Sequence, residues 1–325
     1  DGNFNNLIGM PFSLAKFNKN IDLGILELGM NQKGEIKKLS NICMPDIALI
    51  TKISNAHIGN FGNLKDIALA KSEIFCGMNN LGIAILNDSD PYLSILKERA
   101  KLYGIKQFIF FGKSKKSDIS LLKVEYQKNY KYKVYVNAFG KKINFLLNNF
   151  GEHWIENSLA AISVLTAIGQ DPCHFSEEIK NFKAIKGRGK ILKITFNKKK
   201  FEIIDDSYNS SPESLVSSIS FLNRYGANKR KICVLGDMYE LGKFSKKFHL
   251  SLKKNIKDNK IFKVYTIGKQ MKNLYNSLPV IFKGGHFENL EELFLKLKES
   301  IKSNDVILFK GSRAMELDKI IDKFK

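Results

Sequence analysis

The first half of the chain alternates short apolar runs with longer stretches in which apolar residues recur every three to four positions. Runs of the first kind are typical of buried strands, and stretches of the second kind are typical of helices. This alternation predicts a mostly parallel sheet with helices on both faces. The predicted strands are residues 22–29, 46–53, 81–87 and 107–112, and the clearest helix is residues 64–78.

Residues 120–147 follow a different pattern, in which apolar and polar residues alternate one by one. This period of two predicts antiparallel strands, with a turn near Gly140. Helices are predicted at 154–168 and 176–182, and the basic, glycine-rich stretch 183–190 is typical of a linker.

After this linker the strand–helix alternation begins again and continues to the last residue. The chain is therefore predicted to be α/β in class, with one domain at residues 1–186 and a second at 187–325. Strands of the second domain are predicted, with helices between them, at residues 191–196, 201–205, 231–236, 263–268 and 305–311.

Composition argues against a nucleic-acid-binding protein despite a net charge of +21. The positive charge comes from 48 lysines and only five arginines, whereas base recognition relies on the planar, bidentate guanidinium group. The four cysteines form no C-x-x-C pair, and no apolar run approaches the ~20 residues that span a bilayer. We expect a cytoplasmic monomer with no nucleic-acid partner, whose basic surface attracts an anionic substrate.

Two polar residues in the first half stand where a parallel sheet binds ligands, at the carboxyl ends of strands. Glu27 ends the first predicted strand, and His57 lies in the loop after the second. Together they could hold a hard cation, although each alone is more often a solvated or structural residue. Lys71 lies on the predicted 64–78 helix, where a lysine is ordinarily a solvated surface residue.

These 325 residues contain no phosphate-binding motif in its usual form. The sequence GKS at 112–114 lacks the earlier glycine of a P-loop, because Gln107 stands there, and no G-x-G-x-x-G occurs. His153 and Asn157 lie four apart and therefore on one helix face. An asparagine amide can recognise an adenine edge, but a capped helix start explains the pair equally well.

The stretch DDSYNSSPES at 205–214 combines a helix start with polar residues that capping does not explain. Ser211 is the predicted N-cap and Pro212 the first helical residue. The two aspartates, the tyrosine and the first asparagine have no such role. Arg313 begins another helix after the strand at 305–311, a position where the helix dipole disfavours a cation unless an anion also binds there.

Nine segments in order resemble the Mur ligase family: GNFNNLIGMP, ELGMN, NAHIGNFG, AKSEIF, GEHWIEN, GRG, DDSYNSSP, GDMYELG and KGSRAMEL. Each segment is weak evidence alone, but their common order over essentially the whole chain is specific. DDSYN and KGSR favour the branch of the family that adds D-alanyl-D-alanine, and the D-N-P-R signature of its MurE-like relatives is absent.

The resemblance implies a central ATP-binding domain at 1–186, with a mostly parallel sheet and a small antiparallel sheet. It implies a Rossmann-like α/β C-terminal domain at 187–325. Family members carry a UDP-sugar-binding domain and a P-loop before the GNFNN segment, so we expect the first domain to be incomplete at its N-terminus. We also expect these residues alone, without a P-loop, to be inactive with ATP.

By resemblance, the activity is the ATP-dependent joining of D-alanyl-D-alanine to UDP-N-acetylmuramoyl-tripeptide, through an acyl phosphate, in peptidoglycan synthesis. The implied cofactors are ATP and Mg²⁺. Glu27 and His57 would hold Mg²⁺, and Lys71 matches a lysine that family members carbamylate, which would make it a third ligand. These three residues are the implied catalytic residues.

Binding roles also follow from the resemblance. Asn157 would contact adenine, the second domain would approach ATP, and the last group of residues would receive the dipeptide or the acyl phosphate. The implied nucleotide-binding residues are Asn157, Arg188, Asp206, Tyr208 and Asn209. The implied substrate-binding residues are Asn3, Asn5 and Asn6, near the nucleotide sugar, and Lys310, Ser312 and Arg313.

Two alternatives remain open. Another Mur-type ligase, MurE-like or folylpolyglutamate-synthase-like, would use a different acceptor, and a degenerate binding protein would keep the fold without catalysis. Retention of the three catalytic residues argues against degeneracy, and the missing P-loop argues for it. Lys52, Trp154 and Ser211 each stand where the family usually has asparagine, which places local substrate contacts in doubt.

Overall fold

The computed structural model describes residues 4–18, 20–127, 131–148, 151–182 and 184–325. The chain divides into two compact units, and each is described by itself. The first unit comprises Asp1–Gln127, Tyr132–Leu147 and His153–Asn181. The second unit comprises Lys128–Lys131, Asn148–Glu152 and Phe182–Lys325.

In the first unit, apolar runs form strands and amphipathic stretches form helices, mostly where the sequence predicts them. The strands are β1 Ile47–Ile50, β2 Ile83–Asn87, β3 Gln107–Gly112, β4 Ile119–Tyr126, β5 Tyr132–Ala138 and β6 Lys141–Leu147. The helices are α1 Gly9–Ala15, α2 Glu35–Cys43, α3 Ile58–Phe61, α4 Leu64–Ser72, α5 Leu93–Leu102, α6 Glu152–Ala167 and α7 Cys173–Glu178.

The strands described in this unit form one sheet in the order β1–β2–β3–β4–β5–β6. β1 to β4 are parallel, and β4, β5 and β6 are antiparallel neighbours. The turn between β5 and β6 contains Gly140 at φ 87°, a backbone conformation that glycine adopts without steric cost. The predicted parallel sheet with an antiparallel extension is therefore confirmed.

The predicted strand at residues 22–29 is wrong. This segment is irregular and belongs to neither sheet of the described structure. Leu23 and Ile25 are 45% and 80% exposed, so the apolar run is not buried as a central strand would be. A strand needs a neighbouring backbone to satisfy its N–H and C=O groups, and apolar character cannot supply that partner.

The second unit contains strands β7 Lys190–Phe196, β8 Lys199–Asp205, β9 Arg230–Gly236, β10 Lys263–Ile267, β11 Lys283–Phe287 and β12 Asp305–Lys310. Its helices are α8 Pro212–Tyr225, α9 Ser245–Asp258, α10 Met271–Ser277, α11 Leu290–Ser300 and α12 Leu317–Lys323. The sequence KGGHF of β11 was not predicted as a strand. It is glycine-rich and only half-buried, and it lies at the sheet edge.

The second sheet has the order β11–β10–β9–β12–β8–β7, in which β7 is antiparallel to β8 and the other neighbours are parallel. β9 and β12 are therefore adjacent although β10 and β11 separate them in sequence. In open α/β sheets the crevice at such a switch in strand order is where ligands bind, beyond the carboxyl ends of the strands. In the described part of the chain, no helix has both the length and the apolar character needed to cross a bilayer.

Candidate functional site

Lys71, on α4, interacts electrostatically with two carboxylates of the first unit. Burial lowers the pKa of its amine, while Glu27 and Asp90 act in the opposite direction by stabilising the ammonium form. The structure therefore brings Glu27 and Lys71 within electrostatic reach of each other. A lysine between carboxylates in a low-dielectric setting is not the solvated surface residue that its helical position alone would suggest.

Sequence analysis missed Asp90, a carboxylate that is only 7% exposed just beyond the carboxyl end of β2. Its Oδ2 accepts a hydrogen bond from the N–H of Ile53 at 2.7 Å, and its Oδ1 accepts one from the N–H of Tyr92 at 2.8 Å. Asp90 thus ties the loop after β1, which leads to His57, to the turn after β2. Its position beyond a buried apolar run, at the same sheet edge as His57, is the signal that could have identified it.

Asparagines near the start of the described chain organise the segment that carries Glu27. The side-chain amide of Asn5 donates to Glu27 Oε1 at 3.1 Å, and the C=O of Asn5 accepts from the N–H of Gly29 at 2.7 Å. The Asn6 side chain accepts from the N–H of Gly9 at 2.8 Å, at the start of α1. Asn3 lies outside the described residues.

The basic turn after β3 encloses a carboxylate of the same unit. Asp88 Oδ2 accepts from the N–H of Ser114 at 3.0 Å and from the hydroxyl of Ser117. A Cβ at Gly112, whose φ is 153°, would lie 1.7 Å from Asp88 Oδ1. Backbone and hydroxyl groups that a phosphate could use at residues 112–117 therefore already bind Asp88.

In the second unit, two polar residues at and after the end of β8 have structural roles. Asp205 is fully buried and accepts from the N–H of Gly187 at 3.0 Å and from the hydroxyl of Ser207 at 2.6 Å. Ser211 caps α8 in a reciprocal capping box with Ser214, which confirms the predicted helix start. The first aspartate of DDSYN is thus a tether between the loops that precede β7 and follow β8.

Lys310, at the end of β12, forms a buried ion pair with Asp206. Its Nζ lies 2.7 Å from Asp206 Oδ2, and the two side chains are 3% and 19% exposed. The same ammonium donates to the C=O of Asn209 at 3.0 Å, and the hydroxyl of Ser218 donates to Asp206 Oδ2 at 2.6 Å. Lys310 therefore shapes the loop that carries Asp206 and Asn209.

Two of the chain's five arginines face the Tyr208 ring. The Arg188 guanidinium carbon lies 4.2 Å from the ring centroid, and that of Arg313 lies 6.0 Å away. Arg313 is 61% exposed and pairs with Asp318 at 2.9 Å, so the anion that its position predicts is here a carboxylate of the same chain. In the first unit, Asn157 lies exposed on α6.

The loop after β9 is held to both neighbouring strand ends. The Asp237 carboxylate accepts from the N–H groups of Gln270 at 3.1 Å and Met271 at 2.7 Å, at the start of α10. The N–H of Ser312 donates to the C=O of Asp237 at 2.9 Å, and the Ser312 hydroxyl accepts from the N–H of Tyr239 at 2.8 Å. Asp237 and Ser312 therefore join β9, β10 and β12 at their carboxyl ends.

Beside this junction lies a cavity of ≈ 700 Å³. Its wall includes exposed residues from the ends of all four strands around the switch in strand order, together with apolar surface from Leu290 and Ala314. The polar and mixed lining includes Tyr239, Glu240, Lys269, Gln270, Glu288 and Met315.

His249, on α9, is fully buried behind the loop that forms one wall of the cavity. Its Nδ1 lies 2.7 Å from the C=O of Ser245, and its Nε2 lies 3.0 Å from the backbone nitrogen of Met238. A carbonyl can only accept and an amide N–H can only donate, so this ring is neutral with its proton on Nδ1. Burial lowers the pKa of His249, consistent with the neutral form.

We expect the free energy of unfolding to decrease as the pH falls below about 6.5, the ordinary pKa of an unfolded-state histidine. Burial lowers the pKa of both His249 and His286 in the folded state, so the unfolded chain binds more protons in this range. Each histidine contributes a slope of up to about 1.4 kcal/mol per pH unit until its folded pKa is passed. Urea titrations between about pH 5 and 7.5 measure this slope.

The matched variants for this prediction are His249→Gln and His174→Gln. His174→Gln makes the same substitution at an exposed histidine of the first unit and serves as the comparison. His249→Gln removes one titrating group and makes the dependence shallower. Equal slopes in the wild type and His249→Gln would contradict the prediction.

Two family models match the chain, and they do so along most of its length. Residues 1–165 match the Mur ligase middle domain, and residues 187–313 match the Mur ligase glutamate ligase domain. The chain is 33% identical over 327 aligned positions to the UDP-N-acetylmuramoyl-tripeptide–D-alanyl-D-alanine ligase of Rickettsia prowazekii (strain Madrid E). This alignment covers 100% of the chain and 71% of that relative.

Solved structures give the same result. A crystal structure of MurF from Acinetobacter baumannii superimposes with a TM-score of 0.86 at 26% identity, covering 100% of this chain and 69% of that one. MurF ligase from Thermotoga maritima in complex with ADP superimposes with a TM-score of 0.84 at 26% identity, covering 100% and 72%. With its two units, its sheet orders and these matches over its whole length, the chain belongs to the Mur ligase family.

Proposed function

We propose that this chain serves as an ATP-dependent ligase that joins D-alanyl-D-alanine to UDP-N-acetylmuramoyl-tripeptide in cytoplasmic peptidoglycan synthesis. The observation that carries this proposal is the alignment over 100% of the chain with a ligase of that name. In the reaction, the tripeptide carboxylate takes the terminal phosphoryl group of ATP. The dipeptide amine then attacks the acyl phosphate, an amide forms and phosphate leaves.

We assign the magnesium ion bound to ATP to side chains of the first unit. Mg²⁺ commonly binds one or two protein carboxylates and completes its shell with phosphate oxygens and water. Glu27 is an exposed carboxylate, His57 lies at the carboxyl-terminal edge of the sheet, and carbamylation of Lys71 would add a carbamate oxygen. The ion would neutralise charge on the transferring phosphoryl group.

The chain's own residues explain how Lys71 could be modified and held. The lowered pKa of its buried amine increases the neutral fraction that can add carbon dioxide. Asp90 fixes the neighbouring loop through Ile53, and Asn5 orients the Glu27 carboxylate. These contacts support a positioning role for the residues around Lys71.

In the second unit, the residues proposed to bind the nucleotide are arranged by the loop after β8. Arg188 lies over Tyr208, and Lys310 fixes Asp206 and the backbone of Asn209. We assign nucleotide contacts to Arg188, Asp206, Tyr208 and Asn209. Arg313 is assigned to the dipeptide or the acyl phosphate. Asn157 of the first unit is assigned to adenine, and Asn5 and Asn6 to the nucleotide-sugar substrate.

The cavity beside Ser312 is the proposed acceptor subsite. Its exposed carboxylates, Glu240 and Glu288, suit the ammonium group of a dipeptide, and Lys269 suits its carboxylate. Leu290 and Ala314, which are half-buried and exposed, supply apolar surface for small methyl side chains. Ser312 would act here through the backbone of Tyr239, which its hydroxyl accepts from at 2.8 Å.

Binding measurements on the 325-residue chain test the acceptor assignment. We expect D-alanyl-D-alanine to bind more tightly than L-alanyl-L-alanine, diaminopimelate or L-glutamate in calorimetric titrations with Mg²⁺ and ADP present. Preferential binding of diaminopimelate or glutamate would favour a MurE-like or folylpolyglutamate-synthase-like ligase instead.

We further propose that these residues alone do not transfer a phosphoryl group from ATP, because no P-loop motif occurs among them. Phosphate release with all three substrates present measures this directly. Substantial ATP-dependent ligation by the 325 residues would refute the inactivity proposal and would at the same time support the ligase assignment.

A further inference from the structure

The loop at residues 237–242, which we call the β9 loop, has an unusual backbone. Glu240 and Gly242 have φ of 62° and 50°, so two of its residues are left-handed. For glutamate this conformation is strained and needs surrounding contacts to persist. Met238 and Leu241 are 1% and 2% exposed, whereas Tyr239 is 46% exposed. The loop therefore buries two apolar side chains and presents Tyr239 and Glu240 at the cavity.

Three of the contacts that hold the β9 loop in this shape come from different elements of the second unit. The Asp237 carboxylate fixes its start to α10, and the Ser312 hydroxyl accepts from the N–H of Tyr239. The third contact is the hydrogen bond from the N–H of Met238 to His249 Nε2 at 3.0 Å. The first two contacts come from the strand ends that also border the cavity. His249 comes from α9, behind the loop, and does not line the cavity.

The orientation of the His249 ring is fixed by hydrogen bonds at both of its nitrogens. Its Nδ1 proton is committed to the C=O of Ser245, one turn earlier on α9, which fixes the ring and directs the Nε2 lone pair at Met238. A buried amide N–H that loses its acceptor is strongly disfavoured, so the loop must move if the imidazole is replaced by an apolar group.

We propose that His249 is a positioning residue for the acceptor subsite, which sets the position of Tyr239 and Glu240 through the N–H of Met238. This inference rests on the proposed function, because it takes the cavity to be the site that binds the dipeptide. His249 touches no substrate and acts through the β9 loop.

The test measures D-alanyl-D-alanine binding to the full 325-residue chain by calorimetry, with Mg²⁺ and ADP present, for the wild type, His249→Leu and His249→Gln. Leucine fills the space but accepts no hydrogen bond, and we expect about tenfold weaker binding. Glutamine can offer an amide oxygen to Met238, and we expect it to restore binding to within about threefold of the wild type.

The matched control is Leu252→Ala. Leu252 is a fully buried residue of the same helix, and its side chain forms no hydrogen bond to the β9 loop. It destabilises α9, yet we expect unchanged dipeptide affinity at a temperature where the protein is folded. Backbone ¹H–¹⁵N spectra report the same distinction, with the amide signals of residues 238–242 shifted in His249→Leu and retained in Leu252→Ala.

The outcomes separate the two proposals. If the wild type binds no dipeptide, the acceptor assignment of the cavity fails and the positioning role falls with it. If the wild type binds and His249→Leu binds equally well, the acceptor assignment stands and the positioning role is overturned. Equal weakening by Leu252→Ala, or no rescue by glutamine, also overturns it, because the effect would then be a general loss of stability.

Discussion

Replacing Lys310 by methionine is expected to lower the free energy of unfolding by about 3–5 kcal/mol, as removal of one partner of a buried ion pair typically does. Lys310 is only 3% exposed, and its ammonium binds both Asp206 Oδ2 and the C=O of Asn209. Methionine has a similar length, so the substitution creates no large cavity. It does leave the Asp206 carboxylate without its ion-pair partner in a poorly solvated site. Urea unfolding followed by far-ultraviolet circular dichroism measures the effect.

The control is Lys323→Met, because Lys323 forms an ion pair with Glu291 in which the side chains are 42% and 62% exposed. An exposed pair of this kind contributes under about 1 kcal/mol. The double variant Lys310→Met/Asp206→Leu is expected to recover much of the lost stability, since an apolar pair can replace a buried ion pair. A cost for Lys310→Met no larger than that for Lys323→Met would show that the pair is effectively solvated.

The same variant distinguishes support of the loop from direct substrate contact. If Lys310 acts by holding Asp206 and Asn209, Lys310→Met weakens nucleotide binding because the loop that carries these residues moves. A second substitution that restores the position of the loop then restores binding. The structure favours this view, because the ammonium is already engaged by two acceptors of the chain. An assignment from sequence alone could not distinguish the two roles, since Lys310 and Asp206 lie 104 residues apart.

Much of the fold was predicted correctly because many of its strands and helix ends depend on residues that are close together in sequence. β3 occupies residues 107–112 as predicted, and the α8 start at Ser211 and Pro212 follows from capping chemistry. The segment 22–29 has the apolar character of a strand but joins neither sheet of the described residues, and pairing is a tertiary property. β11 contains two glycines and half-buried side chains, so its pairing with β10 left no apolar signal in the sequence.

For the candidate site too, the sequence predicted the positions of residues but not their contacts. Sequence reasoning selected polar residues at strand ends, but it could not tell which of them are used internally. Asp205, Asp237 and Lys310 are buried and bind backbone or side-chain groups of the chain itself. Glu27 and Arg188, in contrast, have exposed side chains. Contacts between residues that are distant in sequence therefore determine which side chains hold the loops in place and which can reach a ligand.

Asp90 illustrates the opposite error, a residue that sequence reasoning did not select. In the letters LNDSDP it is one of two aspartates after β2. Asp88 faces the turn after β3, whereas Asp90 faces the loop after β1 and the Lys71 ammonium. Only the folded backbone determines which carboxylate points where, because the two differ by two positions in an irregular turn.

Replacing Asp90 by asparagine is expected to lower the free energy of unfolding of the first unit by about 3 kcal/mol, because it removes a buried charge that accepts two backbone hydrogen bonds. An amide can accept at only one of these positions, and it no longer stabilises the Lys71 ammonium. The chain's single tryptophan, Trp154, lies in the first unit, so its fluorescence during urea unfolding reports on this unit.

A double-mutant cycle with Lys71→Met tests whether Asp90 acts on Lys71 and not merely on the backbone. We expect a coupling energy of about 1–2 kcal/mol between Asp90→Asn and Lys71→Met, within the range found for residues in one polar network. Asp88→Asn is the control, since Asp88 stands two positions away but binds Ser114 and Ser117, and its effect should add to that of Lys71→Met. If the effects of Asp90→Asn and Lys71→Met are also additive, the two residues are energetically independent. Asp90 would then hold only the loop that leads to His57, and the electrostatic environment of Lys71 would depend on Glu27.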